Sequence, residues 1–269
     1  EERNQEGQPA GSAYNHMLEK YSAVVKEVAM ETGVPFADQF HPYLEVVDAA
    51  RKTNPGFRTM PDGVHPYPSG HLLMAWAILK GLGADSMVST ATVEAGRQST
   101  RALRASITEH AEQNGVIAFT REDTALPWPL PQGMNGADVV LPHAPIVNDL
   151  SRYLLTVTGL KDGRYDVVID GAKCATVSSA DLAAGWNLTT ADTPMTQQAQ
   201  ALMAKVIEKN NVFFNRWRQV QVPAIVAGKA DDPDTKSKLD LLDQQIVALE
   251  AEIEQLRKPK PHRFEIRPA

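Results

Sequence analysis

Apolar residues recur at steps of three and four along residues 12 to 32, where Met17, Leu18, Tyr21, Val24, Val25, Val28 and Ala29 share one helical face. Ser12 is placed to cap the start of this helix and Gly33 to stop it. The segment that follows, Val34-Pro35-Phe36-Ala37-Asp38, is short and apolar and predicts a buried strand, with Pro35 tolerable only at its first position or on an edge. A second helix is expected over about residues 42 to 52, with Tyr43, Leu44, Val46, Val47 and Ala50 inward. A third runs from Ser69 to about Leu82, and Leu72, Leu73, Ala75, Trp76 and Leu79 make a broad apolar surface on it. Prolines and glycines mark the stretch between these two helices as a loop.

Past residue 90 the period shortens. Alternating or β-branched runs occupy Ala102–Ile107, Val116–Thr120, Tyr153–Thr158, Tyr165–Ile169 and Lys173–Val177. Lys161-Asp162-Gly163 and Asp170-Gly171-Ala172 are turn signals. They predict an antiparallel meander through Tyr153–Val157, Tyr165–Ile169 and Cys174–Val177. Pro127, Pro129 and Pro131 mark a further loop. Residues 195 to 257 return to the helical period, first with Leu202, Met203, Val206, Ile207, Phe213, Phe214 and Trp217, and that helix is expected to stop before Pro223. Leu239, Leu242, Ile246, Leu249, Ile253 and Leu256 then form a heptad seam. The seam fits an antiparallel helical hairpin; a coiled-coil homodimer through residues 239–256 is the alternative. The proline-rich, basic tail after Lys258 is expected to be extended.

The order helix, strand, helix, loop, helix belongs to an α/β protein of three layers. A single strand has no ladder partner, so residues 1–90 read as the closing part of a three-layer αβα domain whose earlier strands lie upstream. The expected organisation is that part, a small antiparallel β-rich segment over 91–190, and the helical hairpin and extended tail over 191–269.

Composition narrows the function classes. The chain has 269 residues, 43% apolar and 22% charged, with a net charge of −6. Its basic residues are scattered, so it carries no electrostatic footprint for nucleic acid. No apolar run reaches the length of about 18 residues that a membrane span requires. Cys174 is the only cysteine, which excludes an internal disulfide, and its strand position suggests a buried, inert thiol. The opening residues Glu1-Glu2-Arg3-Asn4-Gln5-Glu6-Gly7 hold no initiator methionine and no apolar signal core. Any targeting segment is expected to have been removed or to lie upstream.

The densest chemical signal is Met60-Pro61-Asp62-Gly63-Val64-His65-Pro66-Tyr67-Pro68-Ser69-Gly70-His71. Gly63 lets the chain turn back so that the Asp62 carboxylate reaches His65 Nδ1. A carboxylate there fixes the ring tautomer and stabilises the imidazolium formed when Nε2 takes a proton. An aspartate capping a turn beside a packed histidine is the plainer reading of the two residues taken alone. The whole string, running into an apolar helix, is more specific. It resembles the carboxyl-terminal block of the SGNH (GDSL-type) hydrolases, the GDSL-like lipase/acylhydrolase family. Lys209-Asn210-Asn211-Val212-Phe213-Phe214-Asn215-Arg216-Trp217-Arg218, and the closing Leu256-Arg257-Lys258-Pro259 with His262 after it, resemble the tail of a bacterial subgroup of that family. The resemblance implies a flavodoxin-like α/β domain, Asp62 as the orienting acid and His65 as the general base of an esterase working through an acyl-serine. It implies a small-molecule or carbohydrate ester as substrate and a periplasmic or secreted location.

The family's serine lies in a Gly-Asp-Ser block, and a glycine and an asparagine from later blocks complete its oxyanion hole. None of these blocks occurs in the sequence. Ser12 and Ser69 read as helix caps, Ser178 and Ser179 as turn residues. The expectation is therefore an inactive piece carrying the acid–base half of the site. Against it stands a non-catalytic binding module with a relic Asp–His loop. His71 reads as structural, and His16, His41, His110, His143 and His262 show no metal-ligating spacing, so neither metal nor cofactor is expected. Trp128 and Trp186 suit stacking on a sugar, but core packing is the commoner use of such residues. Phe213, Phe214 and Trp217 are expected to pack within the hairpin.

Overall fold

A computed structural model describes residues 13–97, 99–131 and 136–269. It is a mixed α/β protein with helices and two sheets, and it divides into two compact units. One unit comprises the chain up to Val88 together with Leu130–Arg152; the other comprises Ser89–Pro129 and Tyr153–Ala269.

The first unit is built on α1 (Ala13–Thr32), α2 (Phe40–Thr53) and α3 (Pro68–Gly81), with a 3-10 turn at Ala137–Val139 and the short α4 (Ile146–Leu150). Tyr43, Val46, Val47 and Ala50 of α2 and Leu72, Leu73, Trp76 and Ala77 of α3 are buried, as are Val140, Ile146 and Val147. Asp149 ties α4 to α3, accepting from Trp76 Nε1 at 2.9 Å and from Lys80 Nζ at 2.7 Å.

Two expectations for this unit are corrected, and one helix face lies exposed. No strand forms over residues 34–38. Val34 donates its N–H to Ala29 O and its side chain is exposed, and among the described residues no strand pairs with the segment to complete a ladder. Among the described residues of α1 only Ala29 is buried, whereas Met17, Leu18, Tyr21, Val24, Val25 and Val28 are exposed. Periodicity specifies an apolar stripe and is silent about what covers it. Ser69 does not cap α3: Tyr67 holds that position, Pro68 opens the first turn, and Ser69 is buried within it. Ser12 lies outside the described residues.

In the second unit, β1 (Met87–Glu94), β2 (Ser99–Leu103), β5 (Arg152–Thr158) and β8 (Trp186–Asn187) form one sheet in the order β2-β1-β5-β8. The other sheet comprises β3 (Ala105–Gln113), β4 (Val116–Asp123), β6 (Arg164–Ile169), β7 (Ala172–Ser178) and β9 (His262–Pro268), in the order β3-β4-β9-β6-β7. The β6–β7 hairpin forms as expected, but β5 belongs to the other sheet. The place beside β6 is taken by β9, the tail segment, which pairs antiparallel with both β4 and β6. The run Ala102–Ile107 is two strands, broken where Arg104 adopts a left-handed backbone at φ 55. Short α5 (Ser179–Ala184) follows β7, with Ser178 capping it by accepting the Asp181 N–H at 3.0 Å.

The helical hairpin is present within this unit. Helix α6 (Pro194–Phe214) continues through a π-helical stretch, Asn215–Gln221, into α7 (Val222–Val226), and α8 (Pro233–Leu256) returns alongside. Gln198 near the start of α6 donates to the carbonyls of Leu256 and Lys258 at the far end of α8, which makes the pair antiparallel. The helix does not stop before Pro223. The π turns reset the register so that Pro223 falls in the first turn of α7, where a missing N–H has no helical acceptor to lose. Phe213, Phe214 and Trp217 are exposed, not packed in the hairpin. Arg216 is the residue of this stretch that turns to α8, donating from Nε and Nη2 to the Asp243 carboxylate at 2.5 and 2.9 Å.

Candidate active site

The sequence places Asp62 and His65 three residues apart on a loop, and the structure brings their side chains together. Asp62 Oδ2 lies 2.7 Å from His65 Nδ1. Asp62 Oδ1 accepts the backbone N–H groups of Val64 at 2.9 Å and His65 at 2.8 Å. Gly63 makes this fold possible: its φ of 76 lies in the left-handed region, and its N–H closes a turn onto Met60 O at 3.3 Å. At the base of the loop the Tyr67 N–H donates to Thr59 O at 2.7 Å. Proline on both sides of the dyad keeps α2 and α3 from extending into it.

The donors around Asp62 hold its carboxyl far below the usual carboxylate range, the His65 backbone N–H contributing most, then the His65 ring and the Val64 N–H. Asp62 is therefore an anion at neutral pH, so Nδ1 of His65 carries the proton and Nε2 is left as the basic nitrogen. The His65 side chain is 83% exposed, and among the described residues no protein group bonds its Nε2.

Two other aspartate–histidine pairs have the same short contact, and they sharpen the comparison. Asp38 accepts the His41 N–H and reaches His41 Nδ1 at 2.7 Å, but His41 Nε2 faces Glu19 at 3.6 Å. Asp170 reaches His262 Nδ1 at 2.7 Å and accepts the Arg263 N–H at 2.8 Å. The His262 side chain is only 9% exposed, so its Nε2 is buried. Of the three rings that of His65 is the most exposed, and among the described residues no carboxylate faces its Nε2.

A nucleophile is not brought to it. The Ser69 hydroxyl, nearest in sequence, is buried without a hydrogen-bond partner, and among the described residues no serine or cysteine bonds to His65. Cys174 is half-buried rather than fully buried, and desolvation pushes its thiol above the ordinary range, away from the reactive thiolate. Among the described residues no group of three His, Cys, Asp or Glu side chains could hold a metal ion, and no helix is long and apolar enough to cross a membrane.

Compared with protein families and with curated proteins, the chain matches none. The chain is similar to a solved structure, BT4096, described as a gut microbial diltiazem-metabolizing enzyme. The similarity covers 100% of this chain and 70% of that one, at 23% identity and a TM-score of 0.79. At that identity the likeness speaks for the fold.

Several charged residues that pair in the structure escape a reading of the sequence. The Asp170–His262 pair depends on β9, which lies 92 positions away from Asp170 and shows only as a proline-rich tail. Arg121 and Asp123 are both buried and bonded to each other, together with Ser89 and Tyr153. A signal for that cluster existed: Ile117, Phe119, Arg121 and Asp123 alternate along β4 and share one face.

Proposed function

We propose that this chain carries the acid–base half of a carboxylic ester hydrolase site of the SGNH (GDSL) type. The observation that carries the reading is the Asp62–His65 pair, with Nδ1 engaged by the carboxylate and Nε2 open. The serine nucleophile and the oxyanion donors are supplied, on this reading, by residues outside the present sequence. The exposed apolar stripe of α1 supports this, since Met17, Tyr21, Val24, Val25 and Val28 form the kind of face that packs on a sheet. The similarity in fold to BT4096 supports it in outline, because diltiazem contains an ester.

The chemistry follows from the geometry. His65 Nε2 takes the proton of the serine hydroxyl as its oxygen attacks the ester carbonyl. The imidazolium that results is stabilised by Asp62, which remains an anion throughout. His65 then returns the proton to the departing alcohol, leaving an acyl-serine. Water, deprotonated by the same nitrogen, releases the carboxylic acid. Oxyanion donors would contribute about 2.7–4 kcal/mol each.

The test is hydrolysis of p-nitrophenyl acetate by the protein extended to include its upstream sequence. His65→Ala is expected to abolish turnover by several orders of magnitude. Undiminished turnover in that variant overturns the role given to His65, whereas a serine-free upstream segment favours the binding-module reading instead.

A further inference from the structure

The side chains of the dyad are largely exposed, so their geometry is set from the base of the loop. Three restraints meet at the base of the loop. Thr59, fully buried, accepts the Tyr67 N–H on its carbonyl at 2.7 Å, closing the chain on either side of Asp62 and His65. The Thr59 hydroxyl lies 2.5 Å from the phenol oxygen of Tyr43, which stands on α2 and is itself buried. Gly70, in the first turn of α3, presses on the same junction. A Cβ added there would stand 2.8 Å from Pro66 Cβ, 2.8 Å from Thr59 O and 3.2 Å from the Tyr43 hydroxyl.

We propose that Tyr43 and Thr59 are positioning residues for the Asp62–His65 pair, their hydroxyl–hydroxyl contact fixing the loop base that aims the dyad. This rests on the ester-hydrolase reading of that pair and adds two residues to it. Packing alone does not explain the contact. Phenylalanine and valine would fill the same volume without a polar oxygen to satisfy, and a buried hydroxyl is costly unless it is bonded. Gly70 then has a reason to be glycine that is independent of backbone torsion: any side chain drives Pro66, and with it His65, off the junction.

The convergence of three donors on Asp62 depends on the curvature of the loop, so the titration of Asp62 reports that curvature. The experiment follows the Asp62 carboxyl by carbon NMR against pH in the chain as it stands, with circular dichroism as a check on folding. In Tyr43→Phe and Thr59→Val the midpoint is expected to rise by about one pH unit, toward ordinary carboxylates. Thr59→Ser, which keeps the hydroxyl, is expected to stay at the wild-type midpoint. Gly70→Ala should shift it in the same direction as Tyr43→Phe. Val47→Ala is the control, since it opens a cavity one turn along α2 from Tyr43 without removing a hydroxyl, and it should leave Asp62 unmoved. An unchanged midpoint in both Tyr43→Phe and Thr59→Val, or an equal shift in Val47→Ala, overturns the proposal. The readout needs no ester turnover, so failure of the hydrolase reading and failure of the positioning contact are separately visible.

Discussion

Replacing Arg121 by methionine should be among the most damaging single changes in the second unit. The guanidinium is fully buried, and the carboxylate it faces, Asp123, is only 3% exposed. Arg121 Nε donates to both carboxylate oxygens at 3.0 Å, Nη2 to Asp123 Oδ1 and Ser89 Oγ at 2.9 Å, and Nη1 to Leu154 O at 3.0 Å. The guanidinium carbon also lies 4.5 Å from the centre of the Tyr153 ring, whose hydroxyl donates to Asp123. Methionine keeps most of the volume but leaves Asp123 an uncompensated buried charge with only Ser89 and Tyr153 as donors. Breaking a buried pair in this way costs about 3–5 kcal/mol, a large share of the roughly 5–15 kcal/mol by which domains are stable. Urea unfolding measures it, and the double variant Arg121→Met, Asp123→Asn tests the cause. Because the second change removes the stranded charge, the double variant should be less destabilised than the two single losses added together, by about 2 kcal/mol. A loss under about 1 kcal/mol for Arg121→Met, or strict additivity, would refute the argument.

Two further outcomes follow from the first unit. In the extended protein, Asp62→Asn should lower ester hydrolysis by roughly ten-thousand-fold while leaving the fold intact. The amide can still accept the two backbone N–H groups but no longer holds the proton on Nδ1; steady-state rates on p-nitrophenyl acetate check it. For Asp149, burial alone would raise the carboxyl, but the Lys80 and Trp76 donors outweigh it, so the folded value lies below the ordinary 3.8. Its contribution is therefore complete above that pH and is lost as acid takes the pH down through the folded value. Tryptophan emission should change in that acid range in the wild type and not in Asp149→Asn.

The parts of the fold that were legible in the sequence are those set by local pattern. The helical period located α1, α2, α3, α6 and α8, because a helix is closed by its own backbone. Hairpin β6–β7 was legible from the Asp170-Gly171 turn between its strands. What pattern could not carry was strand partnership. Tyr153–Thr158 alternates cleanly, yet nothing in its residues says that it pairs away from its neighbour, and the tail that does pair beside β6 looks like a linker. Charge also misled: Arg121 and Asp123 end an apolar run on paper, whereas in the fold they satisfy each other and the strand continues. Exposure was the other blind quantity. The α1 stripe and the Phe213, Phe214 and Trp217 cluster have core-like spacing and lie exposed.

The candidate site was legible for the same local reason. Asp62, Gly63 and His65 are close in sequence, so turn chemistry alone brings them together. The distinction that matters was not: Asp38–His41 repeats the three-residue spacing and the 2.7 Å contact, and only the surroundings separate the two. Glu19 faces the far nitrogen of His41 at 3.6 Å, and solvent meets that of His65.

The most direct measurement is active-site labelling of the extended protein with phenylmethylsulfonyl fluoride, read by mass spectrometry. The account predicts a single sulfonyl adduct on a serine upstream of Glu1, formed rapidly in the wild type and at least a thousand times more slowly in His65→Ala, on the order of the base's share of triad catalysis. Labelling that proceeds at the wild-type rate without His65, or an adduct on Ser69, would contradict it.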